Sequence, residues 1–367
     1  MPLVANIVFE ALGQGLAVLW EYLSAHTLTC LVPAFFIAGA ISALLSKDAI
    51  LRYLGPDVPK WKSYGIAAVS GSVLAVCSCT ILPLFAGIYK KGAGTGPAFT
   101  FLFSGPAINI LAIVLTARVL GWQLGLARAV AAVSLSLVAG LLMARLFKQA
   151  DRAPANRKTS ALASPIAGPL LENDGGQARP RWALPSLFVL LIAILVVGTT
   201  AIPLAVRVVA VIAMAALVAV LAWRYLDVDE RTGWGTETWW VTKKILPVLL
   251  LGAFLLGVVN YFLPAETFRP YLGGNGLGSV AAASVLGALL YMPTLLEVPI
   301  VGTTLGFSSG VMGGAPALAL LLSGPALSLP SMIVLYRLLD ARKATVYIVI
   351  VIVLTLLAGL LYGAVIG

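Results

Sequence analysis

Residues 76–110 read VCSCTILPLFAGIYKKGAGTGPAFTFLFSGPAINI, and residues 297–331 read EVPIVGTTLGFSSGVMGGAPALALLLSGPALSLPS. Ser104-Gly105-Pro106-Ala107 in the first stretch returns as Ser323-Gly324-Pro325-Ala326 in the second, an offset of 219. Gly96-Pro97-Ala98 aligns with Ala315-Pro316-Ala317 at the same offset, and upstream Tyr53-Leu54-Gly55 aligns with Tyr271-Leu272-Gly273 at 218. Pro83 pairs with Pro299 once the following loop is three residues longer in the second copy. Four anchors in one order identify an internal repeat, and duplicated membrane bundles are the architecture of many secondary transporters. The parity of spans between the copies decides whether they run parallel or inverted, and the span count favours parallel.

Around these stretches the composition is that of a membrane protein. Of 367 residues, 60% are hydrophobic and 10% charged, with a mean hydropathy of +1.02. Soluble domains carry about 25% charged residues. A soluble enzyme, a disordered regulator and a secreted disulfide scaffold are excluded. The apolar stretches are continuous runs rather than alternating strands, which argues against a β-barrel. Apolar runs long enough to span a bilayer fall near 4–22, 27–46, 63–88, 95–117, 121–146, 183–204, 206–224, 243–263, 277–305, 315–336 and 345–365. The first is weakened by Glu10 and Gln14, and the pair at 183–224 is split only by Ile202-Pro203. The expected fold is an all-α polytopic membrane protein of about ten transmembrane helices, in two pseudosymmetric repeats with broken helices.

The expected organisation is a first membrane half at 1–147, a polar linker at 148–181 and a second membrane half at 182–367. The linker is rich in Ala, Pro, Ser and charge and has no apolar period. Its excess of Lys and Arg makes it the best candidate for a cytoplasmic loop. Simple counting then puts Arg337, Arg342 and Lys343 on the opposite side, so one segment is re-entrant or miscounted. The net charge of +10 sits mostly in short breaks between apolar runs. It is read as membrane topology and anionic-lipid contact, with no nucleic-acid partner. The N-terminus lacks the basic region of a cleavable signal peptide. Trp234, Trp239 and Trp240 beside Lys243 and Lys244 read as an interfacial belt.

Three constellations carry chemistry. Cys77-Ser78-Cys79 lies four residues before the helix-breaking Pro83. On a regular helix residues two apart do not face each other. A distorted helix brings both sulfurs to one soft ligand, such as a trivalent metalloid, or allows redox chemistry with a thioredoxin-like partner. Cys also packs as a small hydrophobe. Cys30, three residues before Pro33, is a weaker third sulfur for such a metalloid site. Glu297 occupies the corresponding break of the second copy. A carboxyl at membrane depth is costly and marks a functional site, here a proton carrier or the partner of a basic residue. The third constellation is the paired Ser-Gly-Pro-Ala motifs, Ser104, Gly105 and Pro106 against Ser323, Gly324 and Pro325. Gly-Pro in mid-span breaks or kinks a helix, and half-helices shape midplane substrate sites. Asn109 and Ser328 follow the two breaks at equivalent positions, each offering a polar side chain. No cofactor is expected: no Walker A sequence occurs, and the lone His26 leaves no zinc cluster.

With both motif sets in place, the sequence resembles a family of predicted bacterial permeases that includes the organoarsenical efflux permeases ArsP and the YraQ-type proteins. The resemblance rests on residues 76–110 and 297–331 and covers roughly 45–340. It implies a permease of the bacterial inner membrane rather than an enzyme, with Cys77, Cys79, Asn109, Glu297 and Ser328 at the family's motif positions. The expected function is efflux of a small thiophilic solute, trivalent organoarsenicals or arsenite, with the thiols as ligands and Glu297 coupling to protons. A permease for another solute or sulfur compound, and a membrane thiol–disulfide protein, are the alternatives.

Overall fold

A computed structural model describes residues 2–23, 31–45, 47–55, 58–74, 78–147, 182–199, 204–262, 265–290 and 297–366. Cys30, Cys77 and the linker 148–181 lie outside the described residues, as does the side chain of Cys79. Every secondary-structure element among the described residues is a helix. In chain order they form α1 (Pro2–Tyr22), α2 (Val32–Leu44), α3 (Lys47–Leu54), α4 (Lys60–Leu74), α5 (Ser78–Lys90), α6 (Thr95–Ala107), α7 (Ile110–Val119) and α8 (Trp122–Leu146). There follow α9 (Ala183–Thr199), α10 (Leu204–Tyr225), α11 (Val228–Phe262), a 3₁₀ segment (Ala265–Leu272) and α12 (Leu277–Leu289). The short α13 (Glu297–Pro299) continues as a π turn (Ile300–Thr304), before α14 (Gly314–Ala326), α15 (Leu329–Leu338) and α16 (Ala341–Ile366).

Every stretch read as a span carries a helix, but several are subdivided. Among the described residues four helices are long and apolar enough to cross a membrane, or six if each bent pair is one span. Shorter apolar helices, α2, α5, α9 and α12, accompany them. The stretches 63–88 and 277–305 each hold more than one helix. Pro83 does not end its helix: α5 begins at Ser78 and runs through Pro83 to Lys90.

The repeat is physical. α4 packs on α6 as α12 packs on α14, and α6 on α8 as α14 on α16. The backbone N–H of Gly94 donates to Leu54 O at 2.7 Å, and that of Gly313 donates to Leu272 O at 3.2 Å. A Cβ on Gly71 would collide with Ser104 Oγ, and one on Gly287 with Ser323 Oγ. Both helix pairs therefore close through a glycine set against a serine. α6 is buried along its whole length, and α14 from Ala315 to Ala326. An apolar helix with no polar face belongs at the centre of a bundle.

The copies run in opposite directions, not in parallel. Phe147, just past the end of α8, lies 5.8 Å from the ammonium of Lys343, near the start of α16. Lys343 also donates to Tyr89 Oη at 2.8 Å, near the end of α5. At the far end Tyr362 of α16 lies against Gly314, the first residue of α14. So α8 and α16 are antiparallel neighbours, and α6 and α14 start from opposite ends. This also removes the conflict over charge. The residue before the linker and the Arg337–Lys343 region share one end, because the broken segments upset simple span counting.

Candidate functional site

Each repeat bends at its Ser-Gly-Pro-Ala motif. The α6–α7 pair is bent by 43° and the α14–α15 pair by 44°. Gly-Pro does not itself form the gap. Pro106 and Pro325 complete the last turns of α6 and α14, and the chain leaves the helix at Ile108 and Leu327. Ile108 N–H still donates to Ser104 O at 2.9 Å, and Leu327 N–H to Ser323 O at 2.8 Å. The next half-helices are then capped. Asn109 Oδ1 accepts from the N–H groups of Leu111 and Ala112 at 3.0 and 3.4 Å. Ser328 Oγ accepts from Ser331 N–H at 3.3 Å and lies 2.6 Å from Ser331 Oγ. Free donors of a helix start are satisfied this way. Ser104 and Ser323 are fully buried in helix contacts; Ser104 Oγ donates to Phe101 O at 3.2 Å and Ser323 Oγ to Leu320 O at 3.4 Å.

The feature that joins the repeats is an ion pair. Glu297, the first residue of α13, is fully buried, and its Oε2 lies 3.0 Å from Nη2 of Arg128 on α8. Arg128 is equally buried. Its Nη1 donates to Thr116 Oγ1 of α7 at 2.9 Å, while Thr116 donates to Ala112 O at 2.7 Å. Two polar atoms of this pair, Arg128 Nε and Glu297 Oε1, have no hydrogen-bond partner among the described residues. Oε1 faces Gly324: a Cβ there would sit 2.9 Å from it. The structure thus brings Glu297 against the second Ser-Gly-Pro-Ala motif.

Arg128 and Thr116 were not singled out in the sequence. The signal for Arg128 was present: an arginine inside the apolar run 121–146, well away from Arg145 at its end, the natural counter-charge for the buried carboxyl. The tryptophan belt needs correction. Trp234 is buried and donates from Nε1 to Phe36 O at 2.9 Å, whereas Trp239 is exposed.

A second charged group marks the end of the bundle that holds Phe147. Lys90 pairs with Glu237 at 2.7 Å and lies 4.6 Å from the centroid of Trp240, with Lys244 5.0 Å from the same ring. Burial pushes the neighbouring Lys91 ammonium below its usual pKa; Glu237 opposes the shift and Lys90 adds to it.

Discontinuous helices in repeats of opposite direction are a common architecture of secondary transporters. A profile of predicted permeases, ArsP_1, matches residues 14–364. The chain belongs to this family of predicted permeases. The ArsP_1 chain is 37% identical over 366 residues to the UPF0718 protein MJ0584 of Methanocaldococcus jannaschii, covering 98% of both. It is 26% identical over 309 residues to the UPF0718 protein YraQ of Escherichia coli K12, covering 83% of this chain and 68% of that one. No solved structure matches it. Family and apolar helices together make it a multi-pass membrane permease, whose partners are lipid and a small-molecule solute.

Proposed function

We propose that this permease is a secondary transporter that exports a small thiophilic solute, with trivalent organoarsenicals or arsenite as cargo. The observation that carries the transporter reading is the matched pair of bent helices, running oppositely and joined through Arg128 and Glu297. Inverted repeats around discontinuous helices suit alternating access, in which one half rocks against the other. The cargo class is supported by Cys77 and Cys79, which stand in sequence at the head of α5, the repeat counterpart of α13. Trivalent arsenic hydroxides are neutral, and thiols displace their hydroxyls. Ser104, Gly105, Pro106, Asn109, Ser323, Gly324, Pro325 and Ser328 shape the breaks, and Glu297 carries the coupling proton. The rocking units are the halves 1–147 and 182–367. The Lys-rich end faces the cytoplasm of a bacterial inner membrane, as excess basic charge favours.

Accumulation of methylarsenite and arsenite in everted vesicles tests this reading. Wild type accumulates the arsenical and the Cys77→Ser/Cys79→Ser double variant does not, at equal expression. Accumulation that survives in the variant removes the thiol role. Its absence in wild type removes the cargo assignment.

A further inference from the structure

The pair of Arg128 and Glu297 has a consequence for what the site must hold when a proton arrives. As found, the two charges cancel. A proton taken up by the Glu297 carboxylate turns it into a neutral acid and breaks the pair. Arg128 cannot follow by losing a proton, because a guanidinium stays charged in proteins. A fully buried arginine without a counter-charge is strongly disfavoured. Thr116 offers one hydroxyl oxygen and no charge.

The surroundings supply no second acid. Among the described residues, α7 presents Thr116 to this pair, α8 presents Arg128 itself, and α14 presents Gly324. Arg118 of α7 is exposed, and Thr303 of the π turn bonds Pro299 O at 2.7 Å. With no second acid bonded to Arg128 among the described residues, an external anion is the candidate replacement charge.

We propose that Arg128 is an anion-binding group that becomes available when Glu297 is protonated, so that the site takes up a proton and a small monovalent anion together. Charge balances at each stage: guanidinium with carboxylate before, guanidinium with the incoming anion and a neutral acid after. The two unpartnered atoms, Arg128 Nε and Glu297 Oε1, are the donor and the proton acceptor that such a pair of ligands would use. Gly324, with no side chain facing Oε1, keeps that oxygen uncovered. This deepens the transporter reading and rests on it for its role in coupling, but binding is measurable without any cargo.

The test is the thermal midpoint of the purified full chain, followed by tryptophan fluorescence in chloride, nitrate or gluconate at equal ionic strength. Wild type melts higher in chloride or nitrate than in gluconate at about pH 5, by on the order of 3 °C, and equally in all three at about pH 10. Glu297→Gln, a fixed neutral stand-in for the protonated acid, shows the anion effect at both pH values. Arg128→Gln/Glu297→Gln shows it at neither. Equal wild-type midpoints in the three salts at acid pH overturn the proposal, as does an anion effect that persists in the double variant. If Glu297→Gln does not fold, wild type and the double variant still decide. Failure of arsenical transport leaves these outcomes untouched, and failure here leaves the arsenical assay standing.

Discussion

The two repeats share a backbone and differ in what they bury at the crossing. In one half-site Thr116, Arg128 and Glu297 meet. At the repeat offsets of 219, 219 and 216 their counterparts are Leu335, Tyr347 and Ile81. These are buried as completely, at 1%, 0% and 1% exposure. Ile81 faces Gly105 as Glu297 faces Gly324. Charge is therefore not needed to bury these positions: an isoleucine, a leucine and a tyrosine occupy their counterparts, Tyr347 lying against Phe99. A buried ion pair that the architecture can do without is better explained by function than by stability, since such pairs gain little over apolar packing.

The sharpest way to break the comparison is to remove one member of the pair. Arg128→Met leaves the Glu297 carboxyl buried alone and should cost about 3–5 kcal/mol, read as unfolding free energy in mixed micelles. Arg128→Tyr/Glu297→Ile puts the other half-site's two residues in place of the ion pair and leaves Thr116. It should recover most of that loss, or exceed wild type by about 1–4 kcal/mol, while transport is lost. A double variant as unstable as Arg128→Met would show that the pair is structural.

The difference between the half-sites also explains what the sequence could reveal. Glu297 stood out as a carboxyl in an apolar stretch, and the repeat exposed the Ser-Gly-Pro-Ala breaks by their spacing. Arg128 did not, because 169 residues separate it from Glu297, and only the inverted packing of α8 and α13 brings them together. The direction of the repeats was hidden for a related reason. Four of the apolar stretches, 63–88, 95–117, 277–305 and 315–336, each hold more than one helix, and parity cannot be counted across a broken segment. Trp234 read as a belt residue because its partner, Phe36, is 198 positions away. The site's local chemistry was legible; its long-range pairings were not.

The glycines sharpen the comparison at smaller cost. A Cβ at Gly105 would meet Ile81 Cδ1 at 2.6 Å, and one at Gly324 would meet Glu297 Oε1 at 2.9 Å. Overpacking of this kind costs about 1–3 kcal/mol. The consequences should diverge. In Gly105→Ala the end of the isoleucine side chain gives way and transport persists. In Gly324→Ala the methyl covers the free carboxylate oxygen, so proton-coupled transport falls at similar stability. Equal transport in the two alanine variants, at matched expression, would count against Oε1 as the site of proton uptake.

The smallest difference lies in the caps. Asn109 caps two N–H groups of α7 from one carbonyl oxygen. Ser328 caps one N–H of α15 and shares its hydroxyl with Ser331. Removing an N-cap costs about 0.5–2 kcal/mol, so Asn109→Ala should fall toward the upper part of that range and Ser328→Ala toward the lower. Asn109→Asp, which keeps the acceptor, should restore stability. If Asn109 serves the solute only by fixing the start of α7, Asn109→Asp also restores transport. A variant with full stability and no transport would instead show that the solute path does not tolerate a carboxylate at this helix start.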